Sequence, residues 1–191
     1  MRTIGVILAG GKSSRMGERD KAEIEFAGMR LIDRALERLA AQVDRVLISG
    51  SSSYGLAAEA VPDLDCRLNG PAAGVLSLAS HFAKGCGEFT GFLTVPVDGP
   101  FLPSDFAARM VGEEAAVAAD PRRLHPTFAW WPVAPILEIS AAVRSSNRLS
   151  LHELAVKLRA RTVVWSDPKC FANINTPEDV AKWGDEAGRS S

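Results

Sequence analysis

The sequence predicts an α/β protein built on a parallel sheet, and three observations carry that expectation. Short apolar runs suited to strands buried on both faces alternate with segments of helical period. Glycine and cationic residues gather just beyond the first of these runs, at the end where open α/β sheets bind ligands. Nothing rich enough in Gly, Pro or Ser to be a linker interrupts the alternation, and no repeat is present, so residues 1–188 are read as one domain with 189–191 frayed.

Taken in order, Thr3–Leu8 is an apolar run ended by Ala9-Gly10-Gly11, the pattern of a buried strand. Leu31, Ala35, Leu36, Leu39, Ala40 and Val43 recur at helical spacing opposite Arg34, Glu37, Arg38 and Gln42, which predicts an amphipathic helix from Leu31 to Gln42. Asp44–Gly50 is a second strand. The Gly70–Gly74 stretch opens a small-residue helix from Ala73 to Lys84, and Phe89–Val97 is a third strand that ends at Asp98. Pro103-Ser104-Asp105 is expected to cap a helix running to Val111. Ala115–Ala119 and Thr127–Trp131 are strands separated by the Asp120–Arg123 turn. Helices over Ala134–Arg144 and Ser150–Arg159 and a strand over Thr162–Trp165 follow. Thr176-Pro177-Glu178-Asp179 starts the last helix: a capping Thr, Pro at the first helical position, then two acids at the positive helix end.

Composition narrows the function. With 22 Lys and Arg against 23 Asp and Glu, net charge −1 and 47% hydrophobic residues, the chain is neither disordered nor a polybasic binder of nucleic acid or membrane surface. Cys66, Cys86 and Cys170 form no CxxC pair and lie near no His at zinc-ligand spacing, so inert thiols in a reducing cytoplasm are expected. No apolar run approaches the length of a membrane span, and the first ten residues lack the core of a signal peptide.

The stretch Leu8–Lys21, LAGGKSSRMGERDK, carries most of the chemistry. Gly10 and Gly11 remove side-chain bulk, so that backbone N–H groups can approach a base or phosphate. Arg15 and Lys21 bring positive charge to the oxygens of a triphosphate and its departing pyrophosphate. Two familiar phosphate motifs fail here. A Walker A loop would need Gly where Val6 stands, and a dinucleotide fingerprint would need Gly where Lys12 stands.

LAGGKSSRMGxxDK resembles the signature of molybdenum cofactor guanylyltransferases, within the larger nucleotidyltransferase group. The resemblance continues through Gly70-Pro71-Ala72-Ala73-Gly74, Val97–Pro103, His125-Pro126-Thr127 and Asn173-Ile174-Asn175-Thr176-Pro177-Glu178, in the family's order and over nearly the whole chain. It implies a three-layer sandwich with a mostly parallel central sheet and helices on both faces, the Rossmann-like nucleotidyltransferase fold. It also implies transfer of GMP from GTP to the phosphate of molybdenum-bearing molybdopterin, with Mg²⁺ required and pyrophosphate released.

By that resemblance Leu8, Ala9, Gly10 and Gly11 meet the guanine nucleotide, Arg15 and Lys21 hold phosphates, and Asp98 ligates Mg²⁺. Ser49 or Ser51 stands where the family tends to have an asparagine, and Asp65, or Asp63, stands in for the aspartate that usually precedes Gly70. Arg148, Asn173 and Asn175 are implied beside the pterin and its phosphate. Mg²⁺ chemistry agrees independently, since that ion takes one or two carboxylates together with phosphate oxygens. The implied partners are the two substrates and, transiently, pterin-supplying proteins or molybdoenzymes, around a monomeric cytoplasmic enzyme. The readings left beside it are a cytidylyl-transferring relative, whose loop tends to LAAG, another small-molecule nucleotidyltransferase, and a non-catalytic pterin carrier. His81 and His152 are expected to pack or face solvent, Trp130, Trp131 and Trp165 to be core, and His125 to serve either structure or ligand.

Overall fold

The computed structural model describes residues 2–9, 20–62, 72–84, 89–142 and 149–187. Its centre is a seven-stranded sheet built around β1 (Ile4–Leu8), which pairs in parallel with β4 (Arg45–Ser49) on one side and β6 (Gly91–Pro96) on the other. The sheet continues outward through β5 (Glu59–Val61), parallel to β4. On the far side it continues through β8 (Leu124–Pro132), β7 (Ala116–Ala119) and β9 (Arg161–Val164), giving the order β5-β4-β1-β6-β8-β7-β9. Every pairing is parallel except those of β8, which runs antiparallel to both β6 and β7. The short turn after β7 forces this, because parallel neighbours need a much longer crossover. The C-terminal ends of β1, β4, β6 and β7 therefore share one edge.

Strand period divides the core into two faces. Ile4 and Val6 of β1 belong to one apolar cluster and Ile7 to the other; Trp131 and Trp130 of β8 split in the same way, all of them buried. The first face is covered by α2 (Ala72–Lys84), α4 (Val133–Ala142) and α5 (Leu151–Lys157), the second by α1 (Leu31–Ala40) and α3 (Phe106–Met110). α6 (Pro177–Ala187) leans Val180 and Trp183 on the second face. The result is the three-layer α/β sandwich that the sequence predicts. Gly5 makes one close approach possible: a Cβ there would lie 2.7 Å from a methyl of Leu39 on α1.

The main strands and helices fall within a few residues of their expected ranges. Several small elements escape the sequence reading. β2 (Glu25–Phe26) and β3 (Met29–Arg30) form a hairpin through Ala27 (φ 49°) and Gly28 (φ 77°), a two-residue turn with both angles positive and an alanine where Asn or Asp is usual. β5 is too short to show a period. The expected cap at Asp105 is a correction: α3 begins at Phe106 and the Asp105 side chain makes no cap bond. Its carboxylate instead accepts from Trp165 Nε1 at 2.8 Å, tying α3 to the end of β9. No helix among the described residues is long and apolar enough to cross a membrane.

Candidate active site

Three motifs far apart in the chain meet at the C-terminal edge of the sheet. The Lys21 ammonium donates to Asp98 Oδ2 at 2.7 Å and to Asn175 Oδ1 at 2.6 Å, across sequence separations of 77 and 154 residues. Lys21 retains 21% and Asp98 11% of side-chain exposure, so the pair is sheltered yet open at this edge.

Each member is held by local structure. Asp98 follows β6, whose pairing with β1 extends one step through Val97 N–H donating to Leu8 O at 3.2 Å. The Asp98 carbonyl then accepts from Ile174 N–H at 2.8 Å, which pins the segment carrying Asn173 and Asn175 directly against it. Asn175 is fixed from behind by the start of α6. Asp179 Oδ2 accepts from the N–H groups of Asn175 and Thr176 at 2.9 and 3.0 Å, and Asp179 N–H donates to Thr176 Oγ1 at 3.2 Å. The sequence predicts the capping Thr and the acids at the helix start; the structure adds the reciprocal bonds from Asp179 back to the cap.

Lys21 opens a 3₁₀ turn, Lys21–Glu23, whose capping residue Asp20 accepts from Ala22 N–H at 3.0 Å. The other oxygen of Asp20 accepts from the Tyr54 hydroxyl at 2.9 Å. Tyr54 lies in the loop after β4, at φ 54°, and its own carbonyl accepts from Arg30 at 3.2 Å. Burial first, and the bond to Asp20 second, push the Tyr54 hydroxyl up to about 12, so it remains a proton donor at neutral pH. The sequence reading passed over this strap between the β4 loop and the Lys21 turn; its only signal was a lone tyrosine in a serine-rich loop.

Leu8 and Ala9 end β1 beside the cluster, where Ala9 N–H already donates to Ser49 O at 3.3 Å. Ser49 is buried at the end of β4, and Ser51 is exposed two residues on. Asn173 Oδ1 is buried with no hydrogen-bond partner. Gly10, Gly11, Arg15, Asp63, Asp65, Gly70 and Arg148 lie outside the described residues, as do Cys66, Cys86 and the tail expected to fray. Burial, then Asp167 and Asp105, push the Cys170 thiol up, which keeps it protonated and unreactive.

Residues 5–158 match the MobA-like NTP transferase domain. The chain belongs to that family. It is 36% identical over 195 residues to the molybdenum cofactor guanylyltransferase of Rhizobium meliloti, spanning 92% of this chain and 87% of that protein. It is 37% identical over 187 residues to the protein of the same name from Cereibacter sphaeroides, spanning 95% of each. Its fold is that of the molybdopterin-guanine dinucleotide biosynthesis protein A of Archaeoglobus fulgidus: the crystal structure of that protein overlays with a TM-score of 0.73 over 98% of this chain and 100% of the other, at 20% identity.

Two predictions for this nucleotidyltransferase follow from the supports of the site. A Cβ on Gly99 would stand 2.4 Å from Phe128 Cζ, a buried ring with little room to yield. Gly99→Ala is expected to cost about 1–3 kcal/mol of stability and, by displacing the neighbouring Asp98, to lower turnover by up to about 10²-fold. Thermal melting and kcat measured on the same preparation check both parts. Tyr54→Phe removes only the hydroxyl bond to Asp20, worth about 0.5–1.5 kcal/mol, so nucleotide affinity is expected to fall by roughly 2- to 10-fold as the Lys21 turn loosens. Calorimetric titration with nucleotide reads this, and an unchanged Kd would remove Tyr54 from the account.

Proposed function

We propose that this protein transfers the guanylyl group of GTP to the terminal phosphate of molybdenum-bearing molybdopterin, releasing pyrophosphate and forming the guanine dinucleotide form of the cofactor. The observation that carries the proposal is the convergence of Lys21, Asp98 and Asn175 at the ligand edge, in a chain similar over more than nine-tenths of its length to proteins named for that reaction.

The attacking group is itself a phosphate, already an anion at neutral pH, so no general base is required. The physical problem is to bring two anions together in line. In this reading Arg15 and Lys21 offset charge on the α-phosphate and the departing pyrophosphate. Backbone groups of Leu8, Ala9, Gly10 and Gly11, with Ser51, Asp65 and Gly70, hold the guanine nucleotide. Asn173, Asn175 and Arg148 receive the pterin and its phosphate. The orphaned, buried Asn173 Oδ1 supports the last assignment, because a buried acceptor without a donor is a place where a pterin N–H can bond.

The residues present fit Mg²⁺. Asp98 supplies one carboxylate, one of whose oxygens is bound by Lys21, and no group of three or more acidic, His or Cys side chains gathers anywhere among the described residues. That donor set is too sparse for a metal cage and suits an ion that arrives with substrate phosphates. Bound there, Mg²⁺ would supply Lewis-acid polarisation of the α-phosphate. Asp98 would hold it, and the cation of Lys21 would then be available to the phosphates. The enzyme is read as a cytoplasmic monomer that meets pterin-supplying proteins or molybdoenzymes transiently.

Mass analysis of the pterin product after incubation with GTP and Mg²⁺ tests the proposal. A product heavier by one guanylyl group, GMP less water, is expected, and recovery of unmodified pterin from an otherwise folded, nucleotide-binding protein would contradict it.

A further inference from the structure

His125 is a buried titratable residue of the matched motifs to which the reaction above gives no task, and its surroundings are unusually specific. It follows the turn between β7 and β8, and its Nε2 lies 2.9 Å from Asp120 Oδ2, with both side chains less than a tenth exposed. The other Asp120 oxygen accepts from the N–H groups of Arg122 and Arg123 at 2.6 and 3.0 Å. Burial opposes the charge on Asp120, but His125 and those two amides hold its carboxyl below the usual carboxylate range. An ionised carboxylate can only accept, so Nε2 carries the proton and donates. The turn itself uses the oxygen that accepts from Arg122 and Arg123; the other, buried against His125, costs free energy to desolvate and is offset by the imidazole bond.

The bond fixes the plane of the imidazole. That ring packs at a tilt on Phe171, with centroids 4.8 Å apart and planes 31° apart. Phe171 is fully buried, packs on Phe128 and Trp165, and closes the 3₁₀ turn Pro168–Phe171. Three residues later Ile174 N–H reaches the Asp98 carbonyl, and Asn175 next to it bonds Lys21. The β7–β8 register contributes as well. It jumps from Val117↔Ala129 to Ala118↔His125, so the chain at Pro126–Phe128 bulges out of the pairing with β7. Bulges of this kind re-aim side chains near sites. Here Phe128 lies under Gly99, beside Asp98, and edge-on to His125 at 6.3 Å. The imidazole thus sits behind both supports of the site, touching no reacting group itself.

We propose that His125, oriented by Asp120, is a positioning residue that fixes the Phe171–Asn175 segment, and with it the surface that receives the acceptor, against Asp98. The part of this inference that concerns the acceptor rests on the functional reading above; the part that concerns the segment does not.

The test therefore has two arms, run on the whole protein below its melting temperature. In the first, hydrogen exchange at the Ile174 amide is followed without substrate in wild type, His125→Ala and His125→Phe. Exchange is expected to rise by about 10-fold or more in His125→Ala and to return most of the way in His125→Phe, which restores a ring face against Phe171. In the second arm, steady-state kinetics are expected to give an acceptor KM raised roughly 10- to 100-fold in His125→Ala, with the KM for GTP within about twofold of wild type. Should His125→Ala fail to fold, Asp120→Asn takes its place: its amide oxygen still accepts from Arg122 and Arg123 while its NH₂ cannot accept from Nε2–H, so Ile174 exchange is expected to rise as in His125→Ala. Unaltered Ile174 exchange, or KM values for GTP and acceptor that rise together, would overturn the proposal. Absence of pyrophosphate release from wild type with any nucleotide would instead strike the functional reading, and the exchange arm would still decide whether His125 positions the segment.

Discussion

If Asp98 holds the Mg²⁺ that polarises the α-phosphate, as proposed, Asp98→Ala is expected to lower the rate of pyrophosphate release by about 10²- to 10³-fold or more. The fold is expected to survive. Asp98 contributes to the framework through its backbone carbonyl, which accepts from Ile174 N–H at 2.8 Å and persists in the variant. Among the described residues the side chain bonds Lys21, which keeps 21% exposure and a second bond to Asn175. Lys21 is therefore not left as a stranded buried charge, and the melting temperature is expected to move by only a few degrees. A large loss of turnover with a small change in melting separates chemistry from stability. A variant that keeps near wild-type turnover with Mg²⁺ would show that Asp98 does not ligate the metal.

Lys21→Ala is expected to weaken GTP binding and to lower kcat, each by roughly 10-fold or more, because the ammonium is assigned both to bound phosphates and to charge that builds on pyrophosphate. Loss of the cation also leaves the Asp98 carboxylate, at 11% exposure, without its neutralising partner. Lys21→Arg is not expected to restore the wild type. The ammonium is a compact charge bonded at 2.7 and 2.6 Å to two oxygens on different segments, a geometry that a planar guanidinium cannot copy. GTP titration together with kcat for both variants checks this. An arginine enzyme as good as wild type would show that charge alone, and not the three-way junction, is what the site requires.

The large elements of the fold were legible because their periods are strong. β1 announces itself as an apolar run and α1 by its stripe of Leu and Ala, and α5 and α6 start at Ser150 and Thr176 as capping chemistry demands. The parts that were not legible depend on tertiary context. Ala27 occupies a positive-φ turn position that its identity does not suggest, and β8 runs antiparallel with a bulge that local pattern cannot reveal. Asp105 looks like a cap and is recruited by Trp165 instead.

The same division holds for the site. Lys21, Asp98, Asn173 and Asn175 could be nominated from motifs, but only folding shows that Lys21 bonds Asp98 and Asn175 together. The supports Tyr54 and Asp120 were missed, the first as a loop residue and the second as an ordinary turn aspartate. For Asp120 the available signal was its spacing from His125 on either side of a tight turn, which places two polar side chains close enough to pair.

The site is proposed to join a guanine nucleotide to a pterin phosphate. Pyrophosphate release by the purified protein with Mg²⁺ and molybdate-loaded molybdopterin, compared in parallel for GTP, CTP and ATP, tests this most directly. Release with GTP alone is expected. Preferential release with CTP would keep the fold and the roles of Lys21 and Asp98 but contradict the base assignment, and silence with every nucleotide despite tight pterin binding would contradict catalysis itself.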